Sequence, residues 1–314
     1  MSNFRKLFQK VGGFSVLKNY AYGHVLFFSL AETALVGLGK KSLEIVRLAV
    51  TNKLISKLRR KYRKTVQNFL STYDSRIKHE NSGKIWMCWL QGIENAPKLV
   101  QACYHSIKQN IPSRELVVIT ESNYREYVSF PNYIQDKIDR GIITKTHFSD
   151  LLRLELLNRY GGTWIDATVY ISSEQIPEYM LSSDLFMFQV LKPGLDGHAV
   201  CMSSWFMTAY TNHPILLLTQ KLLYEYWKTH DRLVDYFLLH DFLQLSIETF
   251  PKEWARVMPF SSSLPHILLL RLFDEYDETV WCEVRKMTPV HKLTYKFDQD
   301  STNKENTYYK HLFG

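Results

Sequence analysis

The feature that most constrains the fold of this chain is a predicted helix that ends at two glycines and is followed directly by an apolar strand. Residues 146–172 read THFSDLLRLELLNRYGGTWIDATVYIS. Ser149 is a plausible N-cap, and Gly161 and Gly162 end the helix before the run TWIDATVYIS, which is predicted to be a strand. The buried side of the helix is formed by Leu151, Leu152, Leu154, Leu156 and Leu157. A helix that returns directly to a buried strand is typical of an α/β sheet.

The segments on either side of this junction continue the alternation of strands and helices. KIWMCWLQG (residues 84–92) and ELVVIT (115–120) predict two buried strands, with a helix between them that starts near Pro97. DLFMFQV and SSWFMTAY predict further strands, and ILLLTQKLLYEYW, DRLVDYFLLHDFLQLSI and HILLLRLFDEY predict helices. The order indicates a parallel α/β sheet, and a change in composition around Ser82 places a domain boundary near residue 80.

Asp166 stands in the middle of the apolar run. A buried carboxylate is costly unless a metal, a hydroxyl or a cation meets it. Ligands of open α/β sheets bind at the carboxyl ends of the strands, and Asp166 and Thr168 point to one side of such an end. Asp150 and Arg153 share a helical face and could reach the same crevice. The alternative is that Asp150 is only an acid near the helix start and Arg153 pairs with it on the surface.

The positive charge of the chain is confined to its N-terminal part. The 39 Lys and Arg against 31 Asp and Glu sum to +8, and a content of 46% hydrophobic residues excludes a disordered chain. Residues 1–80 hold 16 basic and 4 acidic side chains (16 − 4 = +12), and residues 81–314 hold 23 and 27 (23 − 27 = −4). A nucleic-acid enzyme spreads positive charge over its catalytic surface, so we expect no nucleic-acid partner.

Residues 51–70 predict a basic amphipathic helix. Lysines and arginines cover its other faces, which favours a helix lying on an anionic membrane surface. A solvated helix packed on the main domain, and RNA binding, are the alternatives. The apolar stripe consists of Leu54, Ile55, Leu58, Tyr62, Val66 and Leu70.

Targeting and redox signals predict a cytoplasmic protein. The apolar residues 25–38, interrupted by Glu32, are fewer than the roughly 20 that span a bilayer. We recognise no secretory signal at the start of the chain. Cys88, Cys103, Cys201 and Cys282 lack any C-x-x-C spacing, which fits neither a zinc site nor a disulfide scaffold.

Two motifs resemble those of known sugar transferases. Residues 147–170 resemble the S-D-x-x-R … Y-G-G-x-x-x-D-x-D core of glycosyltransferase family 32 and of the large clostridial glucosylating toxins. In particular, W-x-Q-G-x-E-N-A-P (residues 89–97) and the W-[IL]-D-A-T variant (residues 164–168) resemble the bacterial capsular polysaccharide synthesis protein group. The resemblance covers residues 84–297 and implies an α/β domain of the GT-A type, which binds a nucleotide sugar.

The resemblance also implies roles for single residues. Trp89 matches the aromatic residue that stacks on the nucleobase, and Gln91 lies beside it on the nucleotide-sugar side. Asp150 and Arg153 match the pair that contacts the sugar hydroxyls and the diphosphate side. Asp166 matches the first acid of D-x-D, which meets the ribose and the metal shell.

Thr168 departs from the family pattern, because it stands where the second acid binds the metal. A hydroxyl is a weaker ligand for a hard cation than a carboxylate. We still expect Mn²⁺ or Mg²⁺, held by Asp166 and Thr168 with His291 completing the shell. The alternative is that lysine and histidine side chains meet the charge of the leaving group instead of a metal. Lys292 and Lys296 would neutralise the diphosphate, unless TPVHKLTYKF is only a solvated basic strand before a frayed tail.

The second half of the chain offers fewer candidates. Trp205 and Phe206 are either a platform for a sugar or part of the core. His240 and Asp241 lie together on an apolar helix, where a buried acid suggests a function. Asp241 is therefore a catalytic candidate beside Asp166 and Arg153, although a structural role for the pair is equally compatible with the sequence.

The sequence therefore predicts an α/β glycosyltransferase of the GT-A type with a basic helical appendage. Residues 1–80 form the membrane-association region, 81–297 the catalytic domain and 298–314 a polar tail. The enzyme would move a hexose from a UDP-sugar to a lipid-linked oligosaccharide during capsule or surface polysaccharide assembly, with retention, at the inner face of the cell membrane. A toxin-like protein glycosyltransferase and a catalytically silent scaffold of a synthesis complex are the alternatives.

Overall fold

A five-stranded sheet forms the centre of the molecule. The computed structural model describes residues 13–191 and 199–314. The strand order is β2-β1-β3-β6-β5, in which β1 is parallel to β2 and β3, and β6 is antiparallel to β3 and β5. The five strands are β1 (Ile85–Cys88), β2 (Leu116–Ile119), β3 (Gly162–Ile165), β5 (Leu185–Gln189) and β6 (Met202–Ala209). The predicted parallel sheet is confirmed except at β6, which runs antiparallel to both of its neighbours, β3 and β5.

The strand predicted for TWIDATVYIS is wrong in its extent. The chain leaves the central sheet after Ile165 and turns, since the amide of Val169 donates to the carbonyl of Asp166 at 3.0 Å. It then forms β4 (Val169–Ile171), which pairs antiparallel with β7 (Val290–Lys292) in a second, two-stranded sheet. Asp166 therefore lies at the carboxyl end of β3, between two sheets.

Helices surround both sheets. The N-terminal half contains α1 (Gly13–Tyr22), α2 (Leu26–Val36), α3 (Lys40–Lys61), α4 (Arg63–Thr72), α5 (Lys98–Asn110), α6 (Tyr124–Tyr127), α7 (Asn132–Asp139) and α8 (Lys145–Tyr160). The second half contains α9 (Tyr179–Ser182), α10 (Pro214–Thr229), α11 (Leu238–Thr249), α12 (Pro251–Trp254), α13 (Ile267–Arg271), α14 (Glu278–Met287), α15 (Gln299–Thr302) and α16 (Tyr308–Phe313). Helices form at the predicted positions, although the pattern of residues 231–247 is helical only from Leu238 and that of residues 266–276 only over Ile267–Arg271. The sequence did not predict α9, α12, α14, α15 or α16.

The junction between α8 and β3 depends on two glycines. Gly161 and Gly162 have φ angles of 65° and 99°, and a Cβ on Gly162 would lie 2.5 Å from the carbonyl oxygen of Lys84. The predicted helix stop is therefore confirmed. The predicted N-cap Ser149 is wrong, because Thr144 caps α8 one turn earlier by accepting from the amide of His147.

The sheet separates two apolar layers. Trp86, Trp164 and Met207 face α8, α10 and α11, whereas Ile85 and Ile165 face the opposite side together with α5. Neighbouring residues of a strand point to opposite faces, which is why both faces of these short strands are apolar.

The apolar stripe of residues 51–70 packs against protein. Ile55, Leu58 and Tyr62 belong to the core beside α11, and the rings of Tyr62 and Phe242 lie 5.3 Å apart. The predicted single helix is two helices, which meet at Tyr62. The prediction that this stripe faces lipid is wrong, and the alternative of a helix packed on the main domain is correct. Residues 1–12 of the basic region lie outside the described residues.

The C-terminal segment is also packed. Tyr308 and Phe313 are buried beside Leu99 and Cys103 of α5. The frayed tail considered for this region is therefore not what the chain forms, because Tyr308, Tyr309, Leu312 and Phe313 follow its polar stretch and pack on the protein. In the described part of the chain, no helix has both the length and the apolar character needed to cross a bilayer.

Candidate functional site

Asp166 is the centre of a charged cluster at the end of β3. Its Oδ1 accepts a hydrogen bond from Trp164 Nε1 at 2.9 Å and lies 3.6 Å from Arg153 Nη2. Its Oδ2 lies 3.1 Å from Lys292 Nζ. Burial raises the pKa of Asp166, but the charges of Lys292 and Arg153 and the indole hydrogen bond outweigh burial, and the pKa falls below its ordinary value. The carboxylate is therefore ionised.

Arg153 is buried and fully engaged. Its Nη1 donates to the carbonyl and the hydroxyl of Ser204 at 2.5 and 2.7 Å, and its guanidinium lies 4.9 Å from the ring centre of Trp164. Nη2 lies 3.3 Å from Asp150 Oδ1. Only 6% of the side chain is exposed, so the alternative of a surface pair with Asp150 is wrong. Arg153 links the two acids of the site.

A relay of two side chains, Trp227 and His147, holds Asp150. Trp227 Nε1 donates to His147 Nε2 at 3.0 Å, and His147 Nδ1 lies 3.1 Å from Asp150 Oδ2. Because an indole only donates, Nε2 must accept, and the imidazole proton is on Nδ1, from which it is donated to Asp150. One oxygen of Asp150 is thus bound to His147 and the other faces Arg153.

Lys292 reaches the cluster from the second sheet. Its Nζ donates to Thr168 Oγ1 at 2.6 Å and to Asp166 Oδ2 at 3.1 Å. The pairing of Val169 with Lys292, and the hydrogen bond from the amide of Leu293 to the carbonyl of Thr168 at 2.8 Å, set this position. The side chain is 18% exposed. The ammonium therefore bridges the two polar positions of the D-A-T motif.

His291 is not part of this cluster. Its Nε2 lies 2.8 Å from the hydroxyl of Ser172, its ring contacts Trp281, and burial lowers its pKa to about 3. Neighbouring residues on β7 face opposite sides, so when Lys292 faces Asp166, His291 cannot. The predicted set of Asp166, Thr168 and His291 is not assembled, and it does not form the shell of oxygen ligands that Mn²⁺ or Mg²⁺ takes. Within residues 13–191 and 199–314 no group of three or more His, Cys, Asp or Glu could hold a metal.

Trp89 forms an aromatic wall at the neighbouring strand end. β1 and β3 are parallel, with Trp86 paired to Trp164, so Trp89 and Asp166 follow adjacent strand ends. The ring of Trp89 meets Tyr295 edge to face at 5.4 Å, and Lys296 Nζ lies 5.8 Å from the Tyr295 ring centre. Among the described residues nothing accepts from Trp89 Nε1, although this atom is buried. The wall therefore has an aromatic ring, a free donor and a cation.

Gln91 belongs to the turn after β1. Its side chain is exposed, and its carbonyl accepts from Asn95 Nδ2 at 2.9 Å. Gly92 has a φ angle of 82°, which the turn requires. The Q-G-x-E-N part of the motif therefore shapes the loop that carries Trp89.

On α11 the structure brings His240, and not Asp241, towards the cluster. The charges that act on His240 are those of Asp150, Arg153 and Asp166, and burial lowers its pKa to about 4. Asp241 is fully buried, and neither carboxylate oxygen has a partner among the described residues. Burial, followed by the charge of Asp235, raises its pKa well above the ordinary range. The predicted candidate Asp241 therefore lies apart from the other candidates as a neutral acid.

Trp205 and Phe206 belong to the core. They are 8% and 0% exposed, and Trp205 stacks on Phe188 with ring centres 4.5 Å apart. The predicted alternative of a core pair is thus confirmed.

Four residues of the site were not predicted from the sequence: His147, Trp164 as a hydrogen-bond donor, Ser204 and Trp227. His147 stands three residues before Asp150, a helical spacing that could have indicated a contact. Trp227 and Ser204 are 80 and 51 residues away from their partners and carry no local signal.

The fold and the site define an α/β protein with a cluster of paired charges at the carboxyl end of β3. The chain belongs to the capsular polysaccharide synthesis protein family, whose model matches residues 38–312. This confirms the resemblance found in residues 89–97 and 164–168. No protein of curated function matches the chain. Among solved structures, a PaToxG glycosyltransferase is similar at 14% identity and a TM-score of 0.35, over 86% of this chain and 97% of that one.

Proposed function

We propose that this protein is a glycosyltransferase that moves a hexose from a UDP-sugar to a lipid-linked oligosaccharide in capsule or surface polysaccharide synthesis. The observation that carries the proposal is the cluster of Asp166, Arg153 and Lys292 at the end of β3, next to the aromatic wall of Trp89. Membership of the capsular polysaccharide synthesis protein family supports the same role.

Each part of a sugar-nucleotide donor, from the base to the sugar, would have a partner in the site. A nucleobase would lie against Trp89, whose flat ring suits a base. The diphosphate would lie towards Lys292 and Lys296, and the sugar hydroxyls would donate to the oxygens of Asp150. Arg153 and Lys292 together balance the charges of Asp150 and Asp166, so that the site accepts an anionic donor without excess negative charge. Sequence resemblance and this charge pattern together support the GT-A type of binding.

We further propose retention by front-face displacement. Asp150 and Asp166 are both bound to Arg153, and Asp166 is also bound to Lys292. Carboxylates engaged in this way are poor nucleophiles, which disfavours a covalent glycosyl-enzyme intermediate. Positioning of the acceptor and stabilisation of the leaving diphosphate would then supply most of the rate enhancement.

The protein would bind the inner face of the cell membrane through the hairpin of α2 and α3, which we call the apolar hairpin. Phe27 and Leu35 are 87% and 82% exposed, and Leu30, Leu38, Ile45 and Leu48 are each about half exposed. Residues 25–60 contain seven basic and two acidic side chains (7 − 2 = +5). Exposed apolar side chains flanked by cations suit the interface of an anionic bilayer, where the lipid-linked acceptor lies.

Release of UDP from a panel of UDP-sugars, with and without acceptor, tests the enzyme. Asp166→Ala should abolish transfer and leave the fold intact, whereas Asp184→Ala, at an exposed surface acid, should not change transfer. Turnover like that of the wild type in Asp166→Ala would overturn the proposal. A lipid-linked and a protein acceptor, offered in parallel, separate this function from a toxin-like one. Failure of every donor to bind or react would favour a scaffold.

A further inference from the structure

A lysine stands where the site would otherwise receive a divalent cation. Lys292 Nζ lies 2.6 Å from Thr168 Oγ1 and 3.1 Å from Asp166 Oδ2. Those are the two side chains of the D-A-T motif that point to the same side of the strand end. The ammonium therefore occupies the space between them.

The position of Lys292 is built into the fold. Its backbone is held in the β4–β7 pair opposite Val169, and the next amide donates to the carbonyl of Thr168. The lysine is thus fixed one residue from the threonine that it contacts across the strands. Its side chain is 18% exposed, so the lysine is not sealed off from solvent.

The charges at this corner balance without a metal. Two carboxylates and a divalent cation would sum to zero before the donor binds. Here Asp166 contributes −1, Thr168 contributes no charge and Lys292 contributes +1, which also sums to zero. A divalent cation would lie beside an ammonium and would find one carboxylate, which already accepts from Trp164 and Lys292. The further candidate ligand, His291, faces the other side of β7 and is bound to Ser172.

We propose that Lys292 takes the place of the divalent cation, so that this protein binds and cleaves a sugar nucleotide without a metal. The inference rests on the proposed function. In the reaction, the bond between the sugar C1 and the β-phosphate oxygen breaks, and its electron pair stays on that oxygen. A bond forms between C1 and the acceptor hydroxyl oxygen, whose proton passes to the leaving phosphate. Lys292 donates a hydrogen bond to the phosphate oxygen as its charge develops.

The first test compares the rate of sugar transfer in excess EDTA with the rates in added Mn²⁺ and in added Mg²⁺. We expect equal rates for the wild type in all three. Lys292→Met should lower kcat by about 10²- to 10³-fold, the typical loss for an electrostatic donor. Lys292→Arg, which keeps the charge, should recover part of that loss. Lys286→Met, at an exposed lysine of α14, is the matched control and should match the wild type. A wild type inactivated by EDTA and restored by Mn²⁺ would overturn the inference while the proposed function stands.

The second test measures metal binding directly and does not depend on catalytic turnover. Electron paramagnetic resonance of free Mn²⁺, titrated with protein and UDP, should show no protein-dependent binding by the wild type. The double variant Thr168→Asp with Lys292→Ala restores the second acid and removes the ammonium, and should bind Mn²⁺ at least about tenfold more tightly. Tight Mn²⁺ binding by the wild type that Asp166→Asn removes would overturn the inference. Absence of any donor binding, by contrast, would overturn the proposed function.

Discussion

The indole N–H of Trp227 donates to Nε2 of His147, and this single bond decides which imidazole nitrogen carries the proton. Nδ1 is left to donate to Asp150, 3.1 Å away. Trp227 therefore orients a carboxylate that it does not touch, as outer partners do around many binding sites.

Trp227→Phe should lower both stability and donor affinity. The buried Nε2 of His147 would lose the indole donor, which typically costs about 1–3 kcal/mol of unfolding free energy. With the tautomer no longer fixed, Asp150 would be held less firmly, and we expect the KM for the donor to rise more than kcat falls. Urea unfolding and steady-state kinetics measure both. Trp254→Phe, on α12, is the control; equal behaviour of the two variants would refute the relay.

Trp89→Ala should weaken nucleotide binding. Stacking of a base on an aromatic side chain is worth about 1–3 kcal/mol, so Kd for UDP should rise roughly 5- to 150-fold. Tyr295→Phe keeps the ring that meets Trp89 and should bind UDP like the wild type. Isothermal titration gives both constants. Unchanged binding in Trp89→Ala would show that the base lies elsewhere.

Asp241 should make stability depend on pH. Its pKa in the folded state is raised by burial, so it favours the folded state below the ordinary value of about 3.9, and this stabilisation is lost as pH rises towards the folded pKa. Unfolding free energy should fall by up to about 1.4 kcal/mol per pH unit over that range. Asp241→Asn should remove this slope. Urea unfolding between about pH 5 and pH 7 measures the difference.

The control for this experiment is Asp139→Asn, at an acid that is 54% exposed. It should keep the slope of the wild type. Parallel stability curves for wild type and Asp241→Asn would mean that Asp241 is ionised in the folded protein.

The apolar hairpin should be required for membrane binding. Exposed apolar side chains contribute about 1.5–3 kcal/mol each when buried, so Phe27→Ser with Leu35→Ser should weaken binding to phosphatidylserine vesicles at least tenfold. Lys40→Gln with Lys41→Gln should weaken it at low salt only. Leu270→Ser changes a leucine that is 80% exposed on α13 and should have no effect. Vesicle co-sedimentation measures all four proteins, and equal binding by the hairpin variants would exclude this surface.

Local signals predicted much of the fold and one half of the site. The glycines at 161 and 162, the apolar run after them and the acid within it placed Asp166 near a strand end. The same signals misplaced the N-cap, since Thr144 and Ser149 are both able to cap a helix and only the packed helix shows which of them does. The stripe of Leu54, Ile55 and Leu58 was read correctly as helical, but its pattern is the same for a lipid surface as for a protein core.

The sequence by itself determined the alternation of strands and helices, the helix stop at Gly161 and the family motifs around Trp89 and Asp166. Such features depend on backbone angles, caps and side-chain periods, which act over a few residues. Only the tertiary structure decided that Lys292, 124 residues away, meets Thr168, and that His291 turns from it. The two-residue period of a strand separates those neighbours but does not say which one faces the site. Pairing of β7 with β4 makes that choice, and with it the charge that faces the donor.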